Sequence, residues 1–572
     1  MPRRVKIDEI PARSDARRLN TLLTLQDVAR AREFYEKGYW RSDTLYTLLR
    51  HWAQISPDRF ALRDTNTRLS YRALIEWVDA VAQSLHDAGL RPGERVSLWL
   101  PSRAESVMLL LACSRMGYVC NTSLHRDYTC REVVDLLRRA GTVAFFAEPG
   151  HGADAERNDI FAMLYELPQL RHITPVAPLT PETSESDAPT RFSGLSRLAN
   201  CGLAYSTNPD RVVYLAFTSG TTGEPKGVMH SDNTLLANAR AIVRDWAFDQ
   251  DLVTYTLSPM SHNIGTVGLV TTLVAGGEFV VHTPLDGKRT LDRVIETGAS
   301  FLLGVPTHAI DLLRAAKARG LASLGKVNAF QLGGAPIPPA TVAGLMQLGV
   351  RPQNSFGMTE NCSFQYTRPD DPPETVVNSC GRPCEGFELR LWHPEDRDRE
   401  VGIGEIGELG GRGACLMLGY FDDQENTERS FNRHGWFMTG DLGQVDAQGN
   451  LRIVGRKKDL INRGGHNIHP ARIEAFAMRH HAVVKAAAFP VPDDRLGERV
   501  CLAVIPTAKG AVNPLELLRH LDALGLSKFD MPEYFVELEA LPLTASGKVL
   551  KRRLAELVAE GKINPELIRI AK

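Results

Sequence analysis

Between Leu215 and His230 the chain reads LAFTSGTTGEPKGVMH. Thr218, Ser219, Thr221 and Thr222 offer hydroxyl donors. Gly220 and Gly223 let backbone N–H groups turn toward an anion, and Lys226 adds a point charge. Such a set can grip a polyphosphate, although it lacks the G-x-x-x-x-G-K-[ST] pattern of the common phosphate loop. Read alone, a Gly/Ser/Thr run is equally what a flexible connection looks like. Other residues with chemistry to offer follow at long intervals. Glu360 closes Asn354-Ser355-Phe356-Gly357-Met358-Thr359-Glu360, and Asp441 closes Thr439-Gly440-Asp441. Arg456, Lys457 and Lys458 form a basic run, and Lys548 ends Pro542-Leu543-Thr544-Ala545-Ser546-Gly547-Lys548. An acidic oxygen ligand beside phosphates suits Mg²⁺. A carboxylate, which only accepts hydrogen bonds, suits a diol. Taken singly, Thr359-Glu360 reads as a helix cap, Thr439-Gly440-Asp441 as a turn and Lys548 as a solvated lysine.

In this order, the strings resemble the acyl-adenylate-forming enzymes: acyl- and aryl-CoA ligases, peptide-synthetase adenylation domains and luciferases. The resemblance spans almost the whole chain. It implies that Thr218 to Gly223 and Lys226 hold the phosphates of ATP. Gln331 to Pro336 resembles the family's G-G-A-P, which places Gly333, Gly334, Ala335 and Pro336 against adenine and the acyl group. Asn354, Phe356 and Gly357 fall on the nucleotide, with Phe356 stacking near adenine. The resemblance further implies that Thr359 touches the α-phosphate, Glu360 helps hold Mg²⁺, and Asp441 binds both ribose hydroxyls. Ile453 and Arg456 complete the nucleotide side. Lys458 falls on the hinge, and Gly464-Gly465 on the loop that approaches the thiol of coenzyme A. Lys548 becomes the adenylating lysine, offsetting repulsion between a carboxylate and the α-phosphate it attacks. Gly407-Glu408-Leu409 and Gly419-Tyr420 match structural strings and carry no chemical role.

The elements that must position these residues alternate. Helices are expected over Leu45–Trp52, Arg72–Ala88 and Ala104–Gly117, and strands over Arg95–Leu100 and Val212–Phe217. A strand–helix stretch is expected over Thr271–Val281. The alternation predicts a layered α/β fold. Residues 175–190, rich in Pro, Ser, Thr and acid, read as a linker. Near residue 455 the sequence turns polar, so the boundary is placed there. A large N-terminal domain, 1–455, carries the ATP and acyl pocket, and a small α+β domain, 456–572, is joined to it by a hinge.

Composition narrows the class. With 572 residues the chain is too long for one core. The 43% hydrophobic and 24% charged residues are those of a globular protein. A net charge of −1 implies no general affinity for nucleic acid. The nine cysteines show no metal-ligand pairing, which favours a reducing, cytoplasmic setting. No apolar leader opens the chain, and the run Val107–Val119 is interrupted by Arg115, as befits a buried helix better than a membrane span.

The acyl pocket is expected around His262, Asn263, Gly334 and Met358, with His262 as its wall and a gate toward the thiol. Gly265, Thr266 and Gly268 are small and read as room for a bulky acyl group. Met260-Ser261-His262-Asn263 resembles the P-M-A-H-N of aryl-acid-activating enzymes, but Gly268 stands where those carry a serine. The segment Phe34–Trp40 and the string Leu124-His125-Arg126-Asp127 look closer to medium-chain fatty acyl-CoA and cyclohexanecarboxylate-CoA ligases. The expected activity is an ATP- and Mg²⁺-dependent acid–CoA ligase for a medium-chain, alicyclic or aromatic monocarboxylate, working as monomer or homodimer. The alternative is an aryl-acid adenylating enzyme that loads a carrier protein.

Overall fold

A computed structural model describes residues 22–25, 27–179, 192, 195–199, 201–218, 225–281, 289–543 and 549–568. Ser219, Gly220, Thr221, Thr222, Gly223 and Lys548 therefore lie outside the described residues. Four sheets organise the rest. One has six strands, and Val212–Thr218 pairs in it parallel to Val119–Asn121 and antiparallel to Lys226–Ser231. A second has nine strands and includes Phe301–Gly304, Ala329–Leu332 and Arg351–Met358, all parallel neighbours. A five-stranded antiparallel sheet carries Phe437–Val445 and Leu451–Arg456. The fourth sheet begins at Ile461.

Between the first two sheets lie helices that are largely buried. Ala104–Met116 is buried from Ala104 through Arg115. Arg115 is tolerated there because its Nε–H donates to Asp79 at 2.7 Å. Gly117 ends the helix at φ 72°, in the left-handed region. Tyr71–Asp87 starts on Ser70, whose hydroxyl accepts from Ala73 N. Among the described residues no helix is long and apolar enough to cross a membrane.

Thr271–Val281 differs from expectation. The helix there starts at Asn263 and runs to Ala275, and the strand follows at Glu278–Val281. A helix buried all round has no polar face, so periodicity gives no clue to its start. Gly265 and Gly268 serve helix packing, not acyl room. A Cβ on Gly265 would lie 2.7 Å from the Pro259 carbonyl oxygen, and one on Gly268 would lie 3.3 Å from Phe279. Neither lines the central cavity.

Residues beyond Ile461 build apolar clusters of their own. The strands Val483–Asp493 and Gly497–Pro506 pair along their length, and Leu502, Leu517, Ile473 and Phe535 pack in one cluster. A second cluster gathers Ala487, Phe489 and Cys501, and among the described residues no buried member of either precedes Ile461.

Candidate functional site

A cavity of about 1040 Å³ opens where the sheets meet. Each contributor reaches it from the end of an element. Thr218 ends one strand and Lys226 starts the next, paired with it in register. The Thr218 hydroxyl donates to the Lys226 carbonyl at 3.4 Å. Gly333 and Gly334 follow Ala329–Leu332, and Gly334 sits at φ 85°. Gly357, Met358, Thr359 and Glu360 come from the end of Arg351–Met358 and the turn after it. Only glycine fits at 357, because a Cβ would fall 1.9 Å from the Cys362 carbonyl oxygen. Asp441 and Arg456 are cross-strand partners, and Arg456 Nε–H donates to Asp441 Oδ1 at 3.0 Å. His262 and Asn263 line the far side. His262 caps its helix, its Nδ1 accepting from Ile264 N at 3.3 Å.

Other expected residues lie elsewhere. Ala335, Pro336, Asn354, Phe356, Ile453, Gly464 and Gly465 are not among the cavity's lining residues. Asn354 is committed to structure, donating to the Val376 carbonyl at 2.9 Å. Phe356 meets Phe364 edge-on at 5.8 Å and shares an apolar cluster with Ile453. Alternation explains the placement. Ser355 and Gly357 line the cavity, so Phe356 between them points away. Gly464 and Gly465 form a hairpin tip at φ 62° and 89°.

Lys458 lines the cavity from a 3₁₀ turn, Lys457–Asp459. Burial pushes its ammonium pKa down, and the Arg456 charge adds to that. Lys457 pairs with Glu408 at 2.9 Å. Leu543 and Val549, which flank the undescribed 544–548, also line the cavity and bridge to one another.

Three side chains gain a place that sequence reasoning did not give them. Tyr420 donates its hydroxyl to Glu360 Oε1 at 2.9 Å, and its ring lies 4.7 Å from Lys226 Nζ. Burial, reinforced by the Glu360 charge, pushes the phenol well above its ordinary pKa, so it stays a donor. His230 is fully buried and its Nε2–H donates to the Thr359 carbonyl at 2.6 Å. Burial lowers this imidazole to about 4, so it is neutral at working pH. With Nε2 as donor, Nδ1 must accept, and the Thr234 hydroxyl lies 3.0 Å from it. His125, on the acyl side, stands 3.0 Å from the Ser261 hydroxyl, its pKa lowered by burial. His230 belongs to the opening stretch, and Tyr420 to a string already noticed. Neither had a local signal of its partner.

The assembled groups can do a defined chemistry. Lys226, Thr218, Thr359 and Glu360 line one cavity together with the Arg456–Asp441 pair. Among the described residues no cluster of three or more His, Cys, Asp or Glu could hold a metal ion by itself. A single buried carboxylate fits a Mg²⁺ whose remaining ligands are phosphate oxygens and water.

Residues 49–421 match the AMP-binding enzyme family, and residues 472–548 match the AMP-binding enzyme C-terminal domain. Among curated relatives, a salicylyl-CoA synthase / salicylate adenylyltransferase of Streptomyces sp is 32% identical, over 92% of this chain and 96% of its own. A medium-chain fatty-acid–CoA ligase of Escherichia coli K12 is 29% identical, over 95% of this chain and 96% of its own. ATP-bound MatB from Rhodopseudomonas palustris aligns with a TM-score of 0.78 at 28% identity, covering 90% of this chain and 99% of that one. The apo form of the same protein aligns at 0.69, covering 90% and 98%.

Proposed function

The chain belongs to the AMP-binding enzyme family, and from that premise we propose that it is an ATP-dependent acid–CoA ligase. The observation carrying this reading is the meeting of Lys226, Thr359, Glu360, Asp441 and Arg456 in one cavity. Carboxylate and MgATP give acyl-AMP and pyrophosphate, and the thiol of coenzyme A, losing its proton, then attacks the acyl carbon, breaking the acyl–phosphate bond to give acyl-CoA and AMP. Lys226 with the loop before it grips the outer phosphates, Thr359 meets the α-phosphate, and Asp441 takes the ribose diol. Glu360 supplies the protein ligand for Mg²⁺, which when bound offsets phosphate charge. Lys548 acts in the first step. Residues 456–572 then rotate about Lys458, and Gly464-Gly465 replaces the lysine-bearing face. The higher TM-score to the ATP-bound than to the apo relative supports taking the described arrangement as the adenylating one.

The acid is a monocarboxylate with a largely apolar body: medium-chain, alicyclic such as cyclohexanecarboxylate, or aromatic. Cavity neighbours Phe217, Ile264 and Val305 favour such a group. One observation keeps the aryl-acid reading beside it. Among the described residues nothing donates to the buried Asn263 Oδ1, and a small turn of that amide would offer it to a ring hydroxyl. The relative named for salicylate points the same way. Pyrophosphate release with hexanoate, octanoate, cyclohexanecarboxylate, benzoate and salicylate separates these acids. Offering coenzyme A against a phosphopantetheinylated carrier protein separates the acceptors. Release with none of the five acids overturns this acid class.

A further inference from the structure

Tyr420 touches both of the oppositely charged side chains that the reading above assigns to the triphosphate end of ATP. Its hydroxyl donates to Glu360 at 2.9 Å. The Lys226 ammonium stands 4.7 Å from the centre of its ring. One aromatic side chain thus turns its negative face to a cation and its polar edge to an anion.

The backbone holds the ring in that place. Tyr420 N–H donates to the Thr427 hydroxyl at 2.9 Å. Residues on either side pair with the strand that starts at Lys226: Met229 N–H donates to the Gly419 carbonyl, and Phe421 N–H to that of Gly227. Tyr420 itself bridges to Val228 and is 5% exposed. The ring is therefore tied to the same strand that carries the lysine, while its hydroxyl reaches across to the turn that carries the glutamate.

Opposite charges that line one poorly solvated cavity attract strongly. A lysine that paired with the glutamate would be withdrawn from the phosphates, and the glutamate from the cation. We propose that Tyr420 is a positioning residue, a spacer that keeps Lys226 and Glu360 from neutralising one another and leaves each directed at its own part of a magnesium–nucleotide. It acts through those two residues and touches no reacting atom. The proposal rests on the ATP reading above.

Direct binding tests it without knowledge of the acid. The probe is α,β-methylene-ATP, titrated by calorimetry into the full chain at several Mg²⁺ concentrations, with thermal unfolding measured in parallel. Wild type is expected to bind more tightly as Mg²⁺ rises. Tyr420→Leu removes both faces of the spacer and is expected to lose that Mg²⁺ dependence, weakening binding in Mg²⁺ by about tenfold or more. Tyr420→Phe keeps the ring and loses the donor. It is expected to fold as wild type does and to need more Mg²⁺ for half-maximal binding, by about threefold. A Tyr420→Phe protein with the wild-type Mg²⁺ profile overturns the spacer, as does a Tyr420→Leu protein that is only less heat-stable. A wild-type protein that fails to bind the analogue overturns the ATP reading and the spacer with it.

Discussion

The Asp441 side chain is 7% exposed and Glu360 is 6% exposed, while the Lys457 side chain, on the 3₁₀ turn that lines the same cavity, is 44% exposed. The first two sit on strands or turns inside the N-terminal sheets, and their neighbours are fixed in turn. Tyr420 holds Glu360, and His230 holds the Thr359 carbonyl. The other wall is made of a 3₁₀ turn, whose Lys457 pairs with Glu408 of the five-stranded sheet, and of the residues beside 544–548, whose described partners include the helix Pro470–Ala477. Lys551, for example, pairs with Glu474 at 2.8 Å. Networks that are buried and fully hydrogen-bonded specify one geometry. Groups paired within a separate core, as Lys551 is with Glu474, can withdraw as a unit with their partners. The difference fits a reaction in which the nucleotide stays and one wall is exchanged.

The comparison can be broken most severely at Lys548. Lys548→Ala is expected to lower adenylation, read as acid-dependent ATP–pyrophosphate exchange, by about 100- to 1000-fold, the scale of losing one preorganised donor. Thioester formation from supplied acyl-AMP should stay near wild type. Equal losses in both half-reactions would show that the two walls do not divide the chemistry.

A smaller effect is expected on the fixed wall. His230→Leu leaves the Thr359 carbonyl buried without its donor, at about 1–3 kcal/mol, and adenylation should fall about tenfold. His230→Gln, which keeps an N–H near the Nε2 position, should recover most of it. The pH dependence of stability sharpens this test. Folded His230 titrates at about 4 against 6.5 when unfolded. Between those values the unfolded chain binds the extra proton, so this contribution is present above pH 6.5 and lost as pH falls toward 4. Buried Asp232 works with the opposite sign. Its carboxyl is raised from 3.8 to about 6, so its contribution falls as pH rises through that window. Unfolding temperatures across pH 4 to 6.5 should therefore lose the first slope in His230→Gln and keep the second.

The smallest effect is expected at the exchange itself. Lys458→Pro restricts φ at the proposed hinge and removes an N–H. Thioester formation should slow by about three- to tenfold while pyrophosphate exchange holds, because only the second step needs the rotation. A variant slow in exchange and normal in thioester formation would place the hinge elsewhere.

Local pattern carried the α/β alternation because it repeats along the chain. Helices such as Tyr71–Asp87 announce themselves by a capping serine and a following glycine, both local features. Asn263–Ala275 does not, since a helix packed on all sides shows no polar stripe to count. The same limit applies within the site. Phe356 sits in a recognisable string, yet its side chain faces Phe364 because strand alternation sends Ser355 and Gly357 to the cavity.

The order of the strings from Thr218 to Lys548 was enough by itself to show the resemblance to the adenylate-forming family, and with it to imply ATP and an adenylate, because the strings recur in the family's order along almost the whole chain. Tertiary structure alone decided which groups hold those residues in place. Glu360 meets Tyr420 across 60 positions, and Thr359 meets His230 across 129. A single hydroxyl-to-carboxylate or imidazole-to-carbonyl contact has no period and no spacing rule. It exists only once separate sheets have brought their strand ends to one cavity.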